Sequence, residues 1–439
     1  MTTTPTPSSM DSFWMPFTAN RQFKANPRMF ESAEGMYYKT PDGRSVLDST
    51  AGLWCVNAGH GRTQISEAVS RQIQNLDFAP TFQFAHPMAF ELAERLTKLS
   101  PKDMDHVFFC NSGSESVDTA LKIALAYHRA KGDSGRTRLI GREKGYHGTG
   151  FGGISVGGLV NNRRAFGSLL AGVDHLKHAW TPGTEFTEGQ PEVGANLADE
   201  LESIIALHGA ETIAAVIVEP IAGSGGVWIP PKGYLQRLRD ITRQHGILLI
   251  FDEVITGFGR IGGAFAATHF DITPDLMTSA KGLTNGAIPM GAVFVSNDIH
   301  DAFMTGPEEA IELFHGYTYS AHPVACAAAL ATLDIYEQEN LFNKAYELGE
   351  YWQEQLHSLK EFDVVKDIRN YGLVGAVEFH TGDKPGQRGY DVFEHCFWKG
   401  NVMVRYTMDI LAMSPPLIVE KTHIDEAIAA MRNGIKALY

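Results

Sequence analysis

Residues 247–286 read ILLIFDEVITGFGRIGGAFAATHFDITPDLMTSAKGLTNG. Ile247 to Phe251 form a short unbroken apolar run, the pattern of a strand buried on both faces of a parallel sheet, and Asp252 follows directly. An acid so placed lies at the carboxyl end of its strand, the edge where open α/β sheets bind ligands. There it is partly desolvated and calls for a permanent cationic partner. Lys281 stands between Ala280 and Gly282, small residues that let another molecule approach its amine closely. Desolvation lowers an ammonium pKa and makes a lysine a good nucleophile toward aldehydes.

A carboxylate suited to a pyridinium nitrogen and a lysine suited to an aldehyde together describe a pyridoxal phosphate site. The structural alternative is a buried ion pair between Asp252 and Lys281, and the two residues alone leave both readings open.

Moving outward, TIAAVIVEP is a second buried strand ending in an acid, Glu219, with a helix expected from about Gly233 to His245 before the Asp252 strand. This β-α-β repetition predicts a doubly wound, mostly parallel sheet with both acids at one edge. Upstream, HVFFCNSGSES predicts a strand, a small-residue turn and a long helix from about Ser114 to Lys131. Ser112, Gly113 and Ser114 then lie at a helix N-terminus, where free N–H groups and the helix dipole favour a phosphate. Ordinary helix capping, with Glu115 close behind, explains the same residues. The strand of TRLIGREKGYHG is expected to end in Tyr146 and His147, rings that suit either a cofactor face or the core. GAIPMGAVFVS predicts a further strand, and residues 297–312 an exposed stretch.

Towards the ends, residues 1–12 read as a disordered Thr/Pro/Ser tail, and residues 35–61 as a hairpin turning at Asp42 and Gly43 before a glycine-rich loop with Trp54. Phe17 and Trp54 either wall a pocket or pack a domain or subunit interface, and Phe82 and Phe84 are expected on a short exposed turn. Thr318, between two tyrosines, is a hydroxyl donor to phosphate or simply a turn residue. Arg405 is the one cation of an apolar strand, able to bind a carboxylate bidentately or to sit in a salt bridge. The expected division is 1–65 and 324–439 as segments of a smaller α+β lobe, with 66–323 as the large domain.

Composition excludes several classes. A net charge of -14, with basic residues in no long run, argues against nucleic-acid or anionic-membrane partners. The 4 cysteines form no C-x-x-C pair, so neither a disulfide framework nor a cysteine-rich metal site is indicated, and a reducing cytoplasm is expected. No apolar run reaches membrane-spanning length. G-x-G-x-x-G occurs at Gly148 and again at Gly257, but neither copy opens an amphipathic helix that could receive a pyrophosphate, so a nicotinamide cofactor is disfavoured. His175 and His178 lack H-E-x-x-H spacing, and SGSES is not G-x-S-x-G, so no metal and no serine esterase is expected.

NSGSES, KGYHG, VEP, FDEVITGFGR, SAKGLTNG and HGYTYSAHP together resemble the class III pyridoxal-phosphate aminotransferases of fold type I, across nearly the whole chain. FWMPFTANRQFK, GLWCVNAGHG, LIGREKGYHG and LAMSPPLIV narrow the resemblance to the omega-amino acid:pyruvate (beta-alanine:pyruvate) group, which includes the amine transaminases. The resemblance implies that Lys281 joins the cofactor aldehyde and Asp252 holds the pyridine nitrogen. It implies that Tyr146, beside His147, and Val254 enclose the ring, and that Ser112, Gly113 and Ser114 bind phosphate. Glu219 would support the network beneath Asp252, and Thr318 would reach the phosphate of a neighbouring subunit in a homodimer or tetramer. Phe17, Trp54, Phe82 and Phe84 would wall the substrate pocket, with Arg405 binding the substrate carboxylate. In relatives acting on ornithine or 4-aminobutyrate the fifth residue after the VEP glutamate is an acid that neutralises this arginine, whereas here it is Ser224. An amine donor with pyruvate as acceptor is therefore expected; 2-oxoglutarate as acceptor, or an aminomutase of the same fold, are the alternatives.

Overall fold

The computed structural model describes residues 9–439, so most of the expected N-terminal tail lies outside the described residues. In chain order it forms β1 (Ser32–Glu34), β2 (Tyr37–Lys39) and β3 (Ser45–Asp48) near the N-terminus. The middle of the chain contributes β4 (His106–Cys110), β5 (Arg138–Arg142), β6 (Val173–Leu176), β7 (Ile213–Val218), β8 (Leu248–Asp252), β9 (Leu276–Ser279) and β10 (Gly291–Val295). The C-terminal part adds β11 (Val365–Tyr371), β12 (Val374–Phe379), β13 (Val402–Met403), β14 (Arg405–Thr407) and β15 (Ile410–Met413).

The middle strands make a 7-stranded sheet in the order β4-β10-β9-β8-β7-β5-β6. Every residue of β7 and β8 is buried, as their continuous apolar sequences require. The expected helices follow: Gly113–Ala130 after β4, and Tyr234–Gln244 between β7 and β8 with Leu235, Leu238 and Ile241 turned inward. One strand departs from the parallel pattern. β10 runs antiparallel to both neighbours, because the link over residues 280–290 is too short for the helical crossover that a parallel return needs.

The helix Pro323–Gln338 is buried almost all round, in keeping with its Ala-rich sequence, and packs on the helix Thr63–Asn75. The two ends of the chain meet in one sheet of order β1-β2-β3-β13, where Val402 pairs with Leu47 and Met403 with Asp48 in parallel. A second small sheet has the order β11-β12-β15-β14. Two expectations need correction. Tyr146 and His147 do not end a strand: β5 stops at Arg142, where the Gly145 N–H turns back to the Arg142 carbonyl and brings both rings round to the sheet edge. The stretch 297–312 is not simply exposed, since it opens with the helix Asn297–Phe303 and buries Ile299. Among the described residues no helix is long and apolar enough to cross a membrane.

Candidate active site

Asp252 is the last residue of β8 and only 5 % exposed. Its Oδ2 lies 2.8 Å from Nδ1 of the buried His147. Its Oδ1 accepts from the Val254 N–H and the Thr278 hydroxyl, both at 3.2 Å. Three neighbours, one of them on β9, thus fix the carboxylate. Lys281 follows β9 and opens the 3-10 turn Lys281–Thr284 with φ 48, a left-handed conformation that a lysine adopts only when its surroundings impose it. The imposing contacts are the Tyr336 hydroxyl, which donates to the Gly282 carbonyl at 2.6 Å, and the Gly286 N–H, which donates to the Lys281 carbonyl at 3.3 Å. Burial pulls the Lys281 ammonium down to about 8, with Cys55 and Asp252 opposing the shift and Arg405 adding to it. The buried Asp252–Lys281 ion pair left open by the sequence does not form; the partner of Asp252 is His147.

Beside them, Ser112 caps the helix Gly113–Ala130 by accepting from the Glu115 N–H at 3.2 Å, which leaves the first N–H groups of that helix without intrahelical acceptors. Capping and an anion site are thus compatible here. Ser114 Oγ accepts from the Thr149 N–H at 3.1 Å. Gly113 sits against Val254: a Cβ on this glycine would stand 2.9 and 3.0 Å from the two Val254 methyl carbons. Glu219, next after β7, accepts from the backbone N–H of Tyr146 at 2.8 Å and of Gly223 at 3.1 Å, and burial raises its carboxyl to about 7. It therefore fixes the turn that carries Tyr146 and the loop that carries Ser224.

That loop is closed by a bridge between Ala222 and Trp228, and its glycines are packed on both sides. A Cβ on Gly223 would meet Ile255 at 2.8 Å and Trp54 at 3.4 Å, and one on Gly226 would meet Ile410 of β15 at 2.7 Å. Trp54 is buried in a cluster with Ile221, Ile255 and Ala412, so it lines the interior rather than an outer interface. Arg405 starts β14 opposite Ala412, with its Nε buried and unpartnered. Burial lowers its pKa, with Tyr146 the opposing influence, and among the described residues no carboxylate pairs with it.

Phe17, Phe82, Phe84 and Thr318 do not join this cluster; the three aromatics are 75, 57 and 70 % exposed and Thr318 is exposed as well. Phe82 lies against Gly316, and the Thr81 hydroxyl donates to the Ser320 carbonyl at 3.0 Å, so the turn with Phe82 and Phe84 shares one outer face with the Thr318 loop.

Sequence reasoning missed Glu253, Asn57, Arg260 and Tyr336. Glu253 is wholly buried, with its carboxyl raised to about 7 by burial, and accepts from the Thr256 hydroxyl and the Ala266 and Ala267 N–H groups at 2.6–2.7 Å. Its place beside Asp252 in the FDE sequence was the only available signal. His106, His300 and Asp301 group their ligand atoms within 4.8 Å, but the imidazole planes lie 6° apart with centroids at 3.5 Å. Lone pairs in such planes run side by side rather than converging on one ion.

The cluster suits pyridoxal phosphate in three respects: Asp252 is held by hydrogen bonds without a lysine or arginine partner, Lys281 is desolvated and unpaired, and the helix Gly113–Ala130 begins beside Val254 with N–H groups free of intrahelical acceptors. With the mostly parallel seven-stranded sheet, these features define a pyridoxal-phosphate-dependent transferase of fold type I. The sequence pattern of the aminotransferase class-III family matches residues 18–435, and the chain belongs to that family. An omega-aminotransferase of Caulobacter vibrioides is 60 % identical over 427 residues, 97 % of each chain. A beta-alanine–pyruvate aminotransferase of Pseudomonas aeruginosa is 48 % identical over 438 residues, covering 97 % of this chain and 96 % of its own. The pyridoxal-phosphate-bound crystal structure of an amine transaminase from an uncultivated Pseudomonas species superposes with a TM-score of 0.91 at 36 % identity, covering 99 % of this chain and 100 % of that one.

Proposed function

We propose that the enzyme transfers an amino group from an omega-amino acid of the beta-alanine type, or from a primary amine, to pyruvate, giving alanine and an aldehyde or ketone. The observation that carries this reading is Arg405, a guanidinium beside Tyr146 with a buried, unpartnered Nε and no acid facing it. One ungated cation matches one carboxylate, which favours pyruvate over a dicarboxylate acceptor. Two relatives named for omega-amino or beta-alanine substrates support the donor class.

Each residue has a role in this reading. Pyridoxal phosphate, when bound, supplies the electron sink that makes the bond to hydrogen on the amine-bearing carbon labile. Asp252, braced by His147, would hold its pyridine nitrogen, and the helix start at Ser112, Gly113 and Ser114 would receive its phosphate. Tyr146 and Val254 would enclose the ring. Lys281 Nζ, whose pKa near 8 leaves an appreciable neutral fraction at neutral pH, would take the proton from the substrate carbon and deliver it to the carbon that carries the cofactor's aldehyde. Trp54 and Ser224 flank the substrate.

The exposed face of Phe17, Phe82, Phe84 and Thr318 suits a second copy of the chain, which would bring those aromatics to the pocket and Thr318 to the partner's phosphate site. Residues 66–323 then act as the cofactor-binding domain and 1–65 with 324–439 as the smaller lobe, in a cytoplasmic enzyme whose cysteines are all free.

Visible absorption of the cofactor-loaded protein tests the proposal. Beta-alanine or a primary amine should bleach the cofactor band, and pyruvate should restore it. Restoration by 2-oxoglutarate and not by pyruvate would reject the acceptor, and bleaching followed by recovery without any acceptor would point to an aminomutase.

A further inference from the structure

Arg260 is 0 % exposed, yet its guanidinium meets neutral acceptors in place of a carboxylate. It donates to Asn57 Oδ1 at 2.8 Å, to the Leu373 carbonyl at 3.1 Å and to the Pro415 carbonyl at 2.6 Å. Two other buried arginines are placed differently: Arg239 pairs with Asp275, and Arg369 with Asp367 and Glu378. A permanent charge kept away from water without a counter-charge is costly, so it calls for a reason.

The acceptors suggest one, because they belong to segments that approach the candidate site from different directions. Asn57 follows the loop of Trp54 and Cys55 and is wedged against the turn of Lys281. Its Nδ2 donates to the Phe258 carbonyl at 2.9 Å, and a Cβ on Gly282 would stand 2.7 Å from that nitrogen. Leu373 lies in the turn between β11 and β12. Pro415 follows closely on β15, the strand whose Ala412 pairs with Arg405. A continuous path of direct contacts thus runs from the Lys281 turn through Asn57 and Arg260 to the sheet that carries Arg405.

We propose that Arg260 and Asn57 are positioning residues that set the separation between Lys281 and Arg405, and so govern how carboxylate-bearing substrates are aligned with the lysine. The inference rests on the reading of Arg405 as the carboxylate anchor. A guanidinium suits the task because its planar fork fixes several acceptors at once, which a lysine ammonium on a flexible stem cannot do. A substrate without a carboxylate is indifferent to the position of Arg405.

The test uses the full-length, cofactor-loaded enzyme and the variants Asn57→Ala, Arg260→Lys and Arg405→Ala. The two half-reactions are followed separately, one with pyruvate and one with the carboxylate-free primary amine that the wild-type enzyme turns over fastest. In Asn57→Ala and Arg260→Lys the KM for pyruvate should rise roughly tenfold more than that for the amine, since small displacements at a reacting pair cost this much or more. Equal changes for both substrates, or none, would overturn the proposal, because a merely structural role makes no such distinction. If Arg405→Ala raises the pyruvate KM while the other two variants do not, the anchor stands and the positioning role fails. An unchanged pyruvate KM in Arg405→Ala overturns the anchor and the proposal with it. Should Arg260→Lys not fold, Asn57→Ala decides, since it leaves Arg260 its two carbonyl acceptors.

Discussion

His147 Nδ1 stands 2.8 Å from Asp252 Oδ2, with both side chains buried at the carboxyl edge of the central sheet. The other partners of Asp252, the Val254 N–H and the Thr278 hydroxyl, are both at 3.2 Å, so the imidazole is its shortest contact. In His147→Leu the carboxylate keeps only those longer bonds. A buried hydrogen bond lost in this way costs about 1–3 kcal/mol. Pyridoxal phosphate affinity, measured by titration of the cofactor-free protein, should weaken by roughly 10- to 100-fold; unchanged affinity would mean that the histidine only fills space.

Lys281 gives a pH prediction with a definite sign. Its ammonium lies at about 8 in the folded chain against an ordinary 10.5. The neutral amine therefore grows in as pH rises through about 8, and the rate at which cofactor-free enzyme combines with pyridoxal phosphate should climb with it. A midpoint near 10.5 would contradict the desolvation of this lysine. Because the folded pKa is the lower one, the contribution of this group to stability is smallest below about pH 8 and grows up to about 10.5.

Ser224 stands on a loop held between Trp54 and β15, the partner strand of β14. A carboxylate placed there by Ser224→Glu should compete with the substrate for Arg405. We expect the pyruvate KM to rise roughly tenfold, with a smaller change for a carboxylate-free amine, as an opposing ion pair must first be broken. Steady-state kinetics with pyruvate varied at a fixed amine concentration decide the matter, and an unaltered KM would place Arg405 out of reach of the loop.

Gly113 tolerates little at its α-carbon. A methyl group there would meet the Val254 methyl carbons at 2.9 and 3.0 Å, closer than van der Waals contact. Gly113→Ala should displace Val254 or the start of the helix, at an overpacking cost of about 1–3 kcal/mol. Thermal unfolding with and without pyridoxal phosphate should show a reduced Tm in both states and a smaller gain on cofactor binding; an equal gain would show that Val254 does not touch the cofactor.

What the sequence reveals follows from how local each signal is. The strand over Leu248–Asp252 declares itself through its own apolar residues, and the helix Gly113–Ala130 through its cap and periodicity. The reversed β10 is harder, because its direction depends on the length of a link rather than on its side chains. Trp54 was ambiguous for a similar reason: nothing near it in the chain announces Ile221 and Ile255 as neighbours. Arg260 is the extreme case, since its acceptors come from 113 to 203 residues away. For Phe17, Phe82, Phe84 and Thr318 it is family resemblance that favours the site over a merely structural role, and a single chain leaves them on its surface.

The parallel pairing of Leu47 with Val402 has a consequence for how the chain is made. The ribosome delivers β3 early, but the strand that covers its free edge emerges only after some 350 further residues, on the order of tens of seconds later at ordinary elongation rates. Throughout that interval the nascent chain carries an open strand edge beside the segment that leads to Trp54. A translation product cut short before Val402 never closes it, and such fragments should be recovered with chaperones or in inclusion bodies rather than as a stable, separable N-terminal unit.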